Sequence, residues 1–124
     1  MLARVGTVKT VWTTTKDPAA NGATGDVVWN AKEQMGFMTF RGLAQNDPNS
    51  LQYQLWTFDS SRDARYPVDG GVFDIDRESG DVIVPIHGRV PVADATLFAV
   101  TVEKPGRVVV SKRERIVVTA KPAA

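Results

Sequence analysis

Apolar residues in this chain recur at a spacing of two, in short runs, and no long stretch repeats them at i, i+3, i+4 and i+7. Successive side chains of a strand point to opposite faces, so a period of two marks half-buried strands and argues against amphipathic helices. Leu97 to Glu103 is the cleanest case: Phe98, Val100 and Val102 share one face, and Leu97, Ala99 and Thr101 the other. Gln52 to Phe58 alternates likewise, with Gln54, Trp56 and Phe58 opposed to Tyr53, Leu55 and Thr57. Further strand candidates are Val5 to Thr15, Asp26 to Asn30, Met35 to Arg41, Val108 to Val110 and Ile116 to Thr119, rich in the β-branched and aromatic residues that suit a pleated surface. Gly71 to Asp76 and Asp81 to His87 flank Arg77-Glu78-Ser79-Gly80, which predicts a hairpin.

Turn chemistry separates these runs. Asp17-Pro18, Asn21-Gly22, Asn46-Asp47-Pro48-Asn49-Ser50 and Pro105-Gly106 all break the chain. About eight short strands with a turn signal every 8–12 residues predict an all-β fold, an antiparallel two-sheet β-sandwich of Ig-like or related Greek-key kind. Its core is expected to draw on Val28, Phe40, Leu55, Trp56, Phe73, Ile86, Phe98, Val100 and Val102.

A chain of 124 residues suits one such domain. With 43% hydrophobic and 23% charged residues it has the balance of a globular protein, which argues against intrinsic disorder. The net charge of +1 is too small to imply a dedicated polyanion binder, so no nucleic-acid partner is expected. The absence of cysteine excludes disulfides, thiolate zinc sites and cysteine nucleophiles.

The residues that could carry chemistry form no catalytic set. His87 is the lone histidine and no Gly-x-Ser-x-Gly elbow accompanies it, so a structural or surface role is expected. Asp74 to Asp81 places oxygen-bearing side chains at alternate positions, as a calcium loop does. Ser79 stands where that loop needs glycine, and Pro85 where it needs the bidentate glutamate, so a hairpin turn is the better reading. No cofactor and no metal are expected. Lys104, Arg107, Lys112, Arg113 and Arg115 gather late, but no aromatic follows Phe98 and Glu114 interrupts them; an edge guarded by charge fits better than a nucleic-acid surface. Trp12, Trp29 and Trp56 would suit a sugar-stacking platform if exposed and core packing if buried; the core is the default for tryptophans on strands.

An ordered series of short motifs points further. It runs Gly25-Asp26-Val27-Val28-Trp29-Asn30, Gly36 to Gly42-Leu43, Tyr53-Gln54-Leu55-Trp56, Gly70-Gly71-Val72-Phe73, and Phe98 to Val100-Thr101-Val102-Glu103-Lys104-Pro105-Gly106. The series resembles the C-terminal domain of anti-sigma-K factors of the RskA type over about Gly25 to Thr119. The residues that carry the resemblance are Trp29, Gly42, Leu43, Tyr53, Gln54, Leu55, Trp56, Gly71, Phe73, Val100, Thr101, Val102, Glu103, Pro105 and Gly106, all expected to be structural. The family usually continues Pro-Gly-Gly-Ser, whereas this chain has Pro105-Gly106-Arg107-Val108, so no family role is carried over to Arg107–Ser111. Tyr53 and Trp56 fall on opposite faces of one strand, so their rings cannot form one platform, and Tyr53 is placed to tie its strand to a loop as a tyrosine corner does.

The resemblance implies a division of labour. A cytoplasmic segment outside residues 1–124 would hold an extracytoplasmic-function sigma factor, a single membrane span would follow, and this domain would lie on the extracytoplasmic, periplasmic or cell-surface side of a bacterial membrane. Residues 1–24 would be an N-terminal strand and loop near the membrane, 25–120 the β-sandwich and 121–124 a tail. The sigma factor would be a partner only through the cytoplasmic part, and proteases would act on the full-length protein to release it. The domain itself would be non-catalytic, a sensor or protective cap. The alternative is a cell-surface fibronectin-like or carbohydrate-binding sandwich module.

Overall fold

The computed structural model describes residues 7–63, 67–76, 80–86, 91–92, 94–106 and 115–122. Among them nine strands form: β1 (Thr7–Val11), β2 (Thr13–Thr14), β3 (Thr24–Asn30), β4 (Met35–Arg41), β5 (Gln52–Asp59), β6 (Val68–Phe73), β7 (Val82–Pro85), β8 (Ala95–Glu103) and β9 (Ile116–Ala120). They build two antiparallel sheets, one of four strands in the order β1-β3-β4-β7 and one of five in the order β2-β9-β8-β5-β6. The only helical piece among the described residues is a 3-10 turn at Pro18–Ala20, capped by the Asp17 side chain. The lost Pro18 amide and the Asp17 acceptor are what a short helical start favours.

The sheets meet through one apolar cluster. Val27, Trp29, Met38 and Phe40 come from the four-stranded sheet, and Leu55, Phe73, Phe98, Val100, Val117 and Val118 from the five-stranded one. A file of four stacked rings runs through it. Trp12 lies 5.4 Å from Phe40, Phe40 5.3 Å from Phe73, and Phe73 5.5 Å from Tyr53, with interplanar angles of 9°, 16° and 17°. The Phe40–Phe73 step crosses between the sheets. Such stacks add to the area that the rings bury.

Three expectations need correction. The strands on either side of Arg77-Glu78-Ser79-Gly80 are not the arms of a hairpin: β6 pairs with β5 in one sheet, and β7 pairs with β4 in the other. The connection therefore crosses the sandwich, and local turn chemistry alone cannot distinguish a hairpin from a crossover. Ile86 and Val102 pack against the core only partly buried. Val28 and Trp56 are buried but stand apart from the inter-sheet cluster, because each is adjacent to an inward-pointing residue, Val27 and Leu55 respectively. The proposed strand Val108–Val110 and His87 lie outside the described residues.

One glycine pair shapes the sheet. The pairing of β5 with β6 runs Leu55↔Gly71 and then Trp56↔Asp69, so Gly70 is the extra residue of a β-bulge. A Cβ on Gly70 would lie 2.6 Å from the Leu55 side chain, and Gly71 has a φ of +109°, which only glycine adopts readily.

Candidate functional site

Two motifs of the series prove to be neighbours in space. Tyr53-Gln54-Leu55-Trp56 on β5 pairs directly with Ala99 to Val102 on β8, in the register Tyr53↔Val102, Gln54↔Thr101, Leu55↔Val100 and Trp56↔Ala99. On the inner face Leu55 and Val100 are fully buried. On the outer face the Trp56 indole N–H donates to the Thr101 hydroxyl at 2.9 Å, and that hydroxyl donates in turn to the Glu103 carboxylate. A large ring thus enters the outer face with its one polar atom satisfied, as burial demands. Phe58, Leu97, Ala99 and Ile116 join Trp56 and Thr101 around a shallow recess of about 230 Å³.

The second cluster sits at one end of the sandwich, where β4 connects to β5. Gly42, with a φ of +80°, turns the chain out of β4, and Leu43 is buried in the core just after it. The Tyr53 hydroxyl donates to the Ala44 carbonyl at 2.7 Å, the loop tie expected of it. Asn46 does more than mark a turn. Its Nδ2 donates to the Leu51 carbonyl at 2.8 Å and to Asp74 Oδ1 at 2.9 Å, while its Oδ1 accepts from the Ile75 amide at 2.8 Å. Gln52 donates to Asp74 and accepts from the Gly106 amide at 2.8 Å, which holds the Pro105-Gly106 turn against β5. The sequence marked Asn46 only as part of a turn cluster, and nothing local signalled its partners 28 and 29 residues away. Asp74 spends its carboxylate on these amides, while Arg77, Glu78 and Ser79 of the calcium-like run lie outside the described residues. Among the described residues no three His, Cys, Asp or Glu side chains gather as a metal site would need.

Beside this loop is a cleft of about 410 Å³ whose walls include Pro18, Ala19, Ala44, Leu51, Tyr53 and Arg115. Arg115 donates from Nε and Nη2 to the two carboxylate oxygens of Asp17, each at 2.9 Å. That bidentate pair holds the Asp17 carboxyl below its usual range, against the opposing effect of burial, and raises Arg115. Burial pushes the Tyr53 phenol up to about 12, so it stays a neutral donor to Ala44. Of the late basic cluster, Lys104 is exposed, Arg115 is paired, and Arg107, Lys112 and Arg113 lie outside the described residues.

The three tryptophans form no platform. Trp12, Trp29 and Trp56 are 6%, 5% and 2% exposed, too little for stacking on a sugar. Trp29 packs edge-on to Phe98 with ring centroids 6.5 Å apart. Every residue of the motif series that the fold places in β3, β5, β6 or β8 is thus engaged in strand pairing, core packing or loop fastening.

The family description "anti-sigma-K factor rskA, C-terminal" matches residues 3–113. The chain belongs to that family. No curated protein and no solved structure matches it. Anti-sigma factors regulate sigma factors, and in this anti-sigma-K domain Tyr53 to Trp56 and Ala99 to Val102 form the β5–β8 seam. No helix among its described residues is long and apolar enough to cross a membrane.

Proposed function

We propose that this anti-sigma-K domain is the extracytoplasmic regulatory part of a membrane-anchored anti-sigma factor, and that it acts as a folded cap over a protease-sensitive stretch of chain. The observation that carries this reading is the family match over residues 3–113. The burial of the motif residues supports it: Trp56, Leu55, Tyr53, Val100 and Thr101 hold the fold together and present no exposed reactive group. A domain built this way contributes to regulation by being folded. The sigma factor would bind a cytoplasmic part outside residues 1–124, and cleavage outside and then within the membrane would release it.

The test uses the full-length protein in its membrane, a sigma-dependent reporter and an immunoblot for the cut form. Domains are stable by about 5–15 kcal/mol, and truncating a buried tryptophan costs about 3–5 kcal/mol. Trp56→Ala is expected to raise reporter output and the cut form without a stimulus, whereas Lys104→Ala, at an exposed position, is expected to leave both unchanged. If Trp56→Ala melts far earlier in vitro yet both readouts stay at wild-type levels, the cap fails and a ligand-gated sensor replaces it. The purified domain is expected to give no heat and no complex when titrated into the cognate sigma factor; micromolar binding would contradict the division of labour.

A further inference from the structure

Among the described residues the N-terminal segment is attached to the sandwich differently from every other strand. β1 forms one outer strand of the four-stranded sheet, the chain changes sheets at Trp12, and β2 forms an outer strand of the five-stranded sheet. Residues 7–15 are therefore peripheral twice over. Without them β3-β4-β7 and β9-β8-β5-β6 still pair internally. Outer strands of a sheet open more readily than strands paired on both sides.

β1 is laddered to β3 from Thr7↔Asn30 to Val11↔Asp26, and the Trp12 amide donates to the Gly25 carbonyl at 3.0 Å, but side-chain fastening of the segment is sparse. Trp12 is the one buried side chain among residues 7–16, and Val11 is 68% exposed. Trp12 stacks on Phe40, but its indole N–H is buried with no partner, a cost that offsets part of the gain from the ring. Past Trp12 the hold is local. Two register pairs join β2 to β9, the Thr15 amide donates to the Val117 carbonyl at 3.1 Å, and the Thr15 hydroxyl donates to the Ile116 carbonyl at 2.6 Å. The Asp17–Arg115 clasp closes the series. Beyond it Ala20, Ala23 and Val27 are buried in the body of the domain.

We propose that residues 7–17 are a detachable strap, fastened at its downstream end by the Asp17–Arg115 clasp, and that peeling of this strap, without unfolding of the sandwich, admits the first protease. The protease step rests on the function proposed above; the strap itself does not. Once peeled, these eleven residues reach about 35–40 Å as extended chain, long enough to occupy a protease groove while the sandwich stays folded.

Native-state hydrogen exchange on residues 1–124 tests the strap directly. The Trp12 and Thr15 amides are expected to exchange at least tenfold faster than those of Leu55 and Val100, with little dependence on low denaturant. Arg115→Gln is expected to speed the strap amides severalfold with their denaturant dependence still low, and to speed Leu55 and Val100, which open only on global unfolding, by no larger a factor, so the strap stays at least tenfold faster. The opposing control locks the strap. Thr13 and Thr119 are directly opposed partners in the β2–β9 ladder, close enough for a disulfide, and residues 1–124 hold no cysteine to compete. Oxidised Thr13→Cys/Thr119→Cys should slow the strap amides to the rate of the body, and reductant should restore them. If Trp12 and Thr15 exchange together with Leu55 and Val100 in the wild type and in Arg115→Gln alike, there is no strap. In the full-length protein Arg115→Gln should raise the cut form and the oxidised pair should suppress it. If exchange shows the strap opening but only Trp56→Ala raises the cut form, the strap is not the gate, although the cap stands. If no variant raises it, the cap fails and the strap's role with it.

Discussion

The Tyr53 hydroxyl donates a 2.7 Å hydrogen bond to the Ala44 carbonyl, nine residues earlier in the chain, while its ring ends the four-ring stack against Phe73. Tyr53→Phe keeps the stack and removes only the tie, so it should cost about 1 kcal/mol and lower Tm by about 3–6 °C. The phenol also sets an alkaline limit. Its acidity is weakened from 10.0 to about 12 by burial, so the folded state holds the proton more tightly than the unfolded one. Its contribution is complete below about pH 10 and is lost as pH rises toward about 12. Denaturant titrations across that window should show a smaller alkaline loss in Tyr53→Phe than in the wild type.

Trp56 and Thr101 separate packing from hydrogen bonding. Trp56→Ala should cost about 3–5 kcal/mol by leaving a cavity. Thr101→Val keeps the shape but strands the buried indole N–H, which should cost about 1–3 kcal/mol. Urea unfolding measures both, and a Thr101→Val variant as stable as the wild type would show that the Trp56–Thr101–Glu103 relay contributes nothing.

The Asp17–Arg115 clasp should weaken in acid. Arg115 holds the Asp17 carboxyl below its ordinary value, so the folded state binds that proton less readily than the unfolded chain does. The stability from this group is therefore present above the unfolded value of 3.8 and is lost as pH falls through the lower folded value. Asp17→Ala, which also removes the cap on the Ala19 amide, should cost about 1–2 kcal/mol near neutrality and flatten the acid limb of the stability profile.

Calcium should leave the melting curve unchanged. Asp74 accepts hydrogen bonds from Asn46 and Gln52, so its carboxylate is already in use. Melts with chelator and with millimolar calcium should coincide. Specific binding would raise Tm by mass action, and a rise of several degrees would show that Asp74 to Asp81 binds the ion.

Much of this protein was legible in one dimension. The period of two in Gln52 to Phe58 and Leu97 to Glu103 specified strands and assigned Leu55, Phe98 and Val100 to a buried face, because alternation follows from the geometry of a single extended chain. The motif series pointed to the family that the match over residues 3–113 shows, because order and spacing are properties of sequence. What remained hidden was every choice between partners. Gly71–Phe73 and Val82–Pro85 look like the arms of a hairpin, yet they join different sheets, since a turn signal records that the chain bends and not which edge receives it. Trp56 was expected in the core, but its burial on the outer face depends on Thr101 and its neighbours across the β5–β8 seam. The opening strand gave no sign that it changes sheets at Trp12, and 98 residues separate Asp17 from Arg115. Periodicity is local and decides which side of a strand is apolar; only the packed structure, where distant edges compete for the same unpaired backbone groups, decides what each strand lies against.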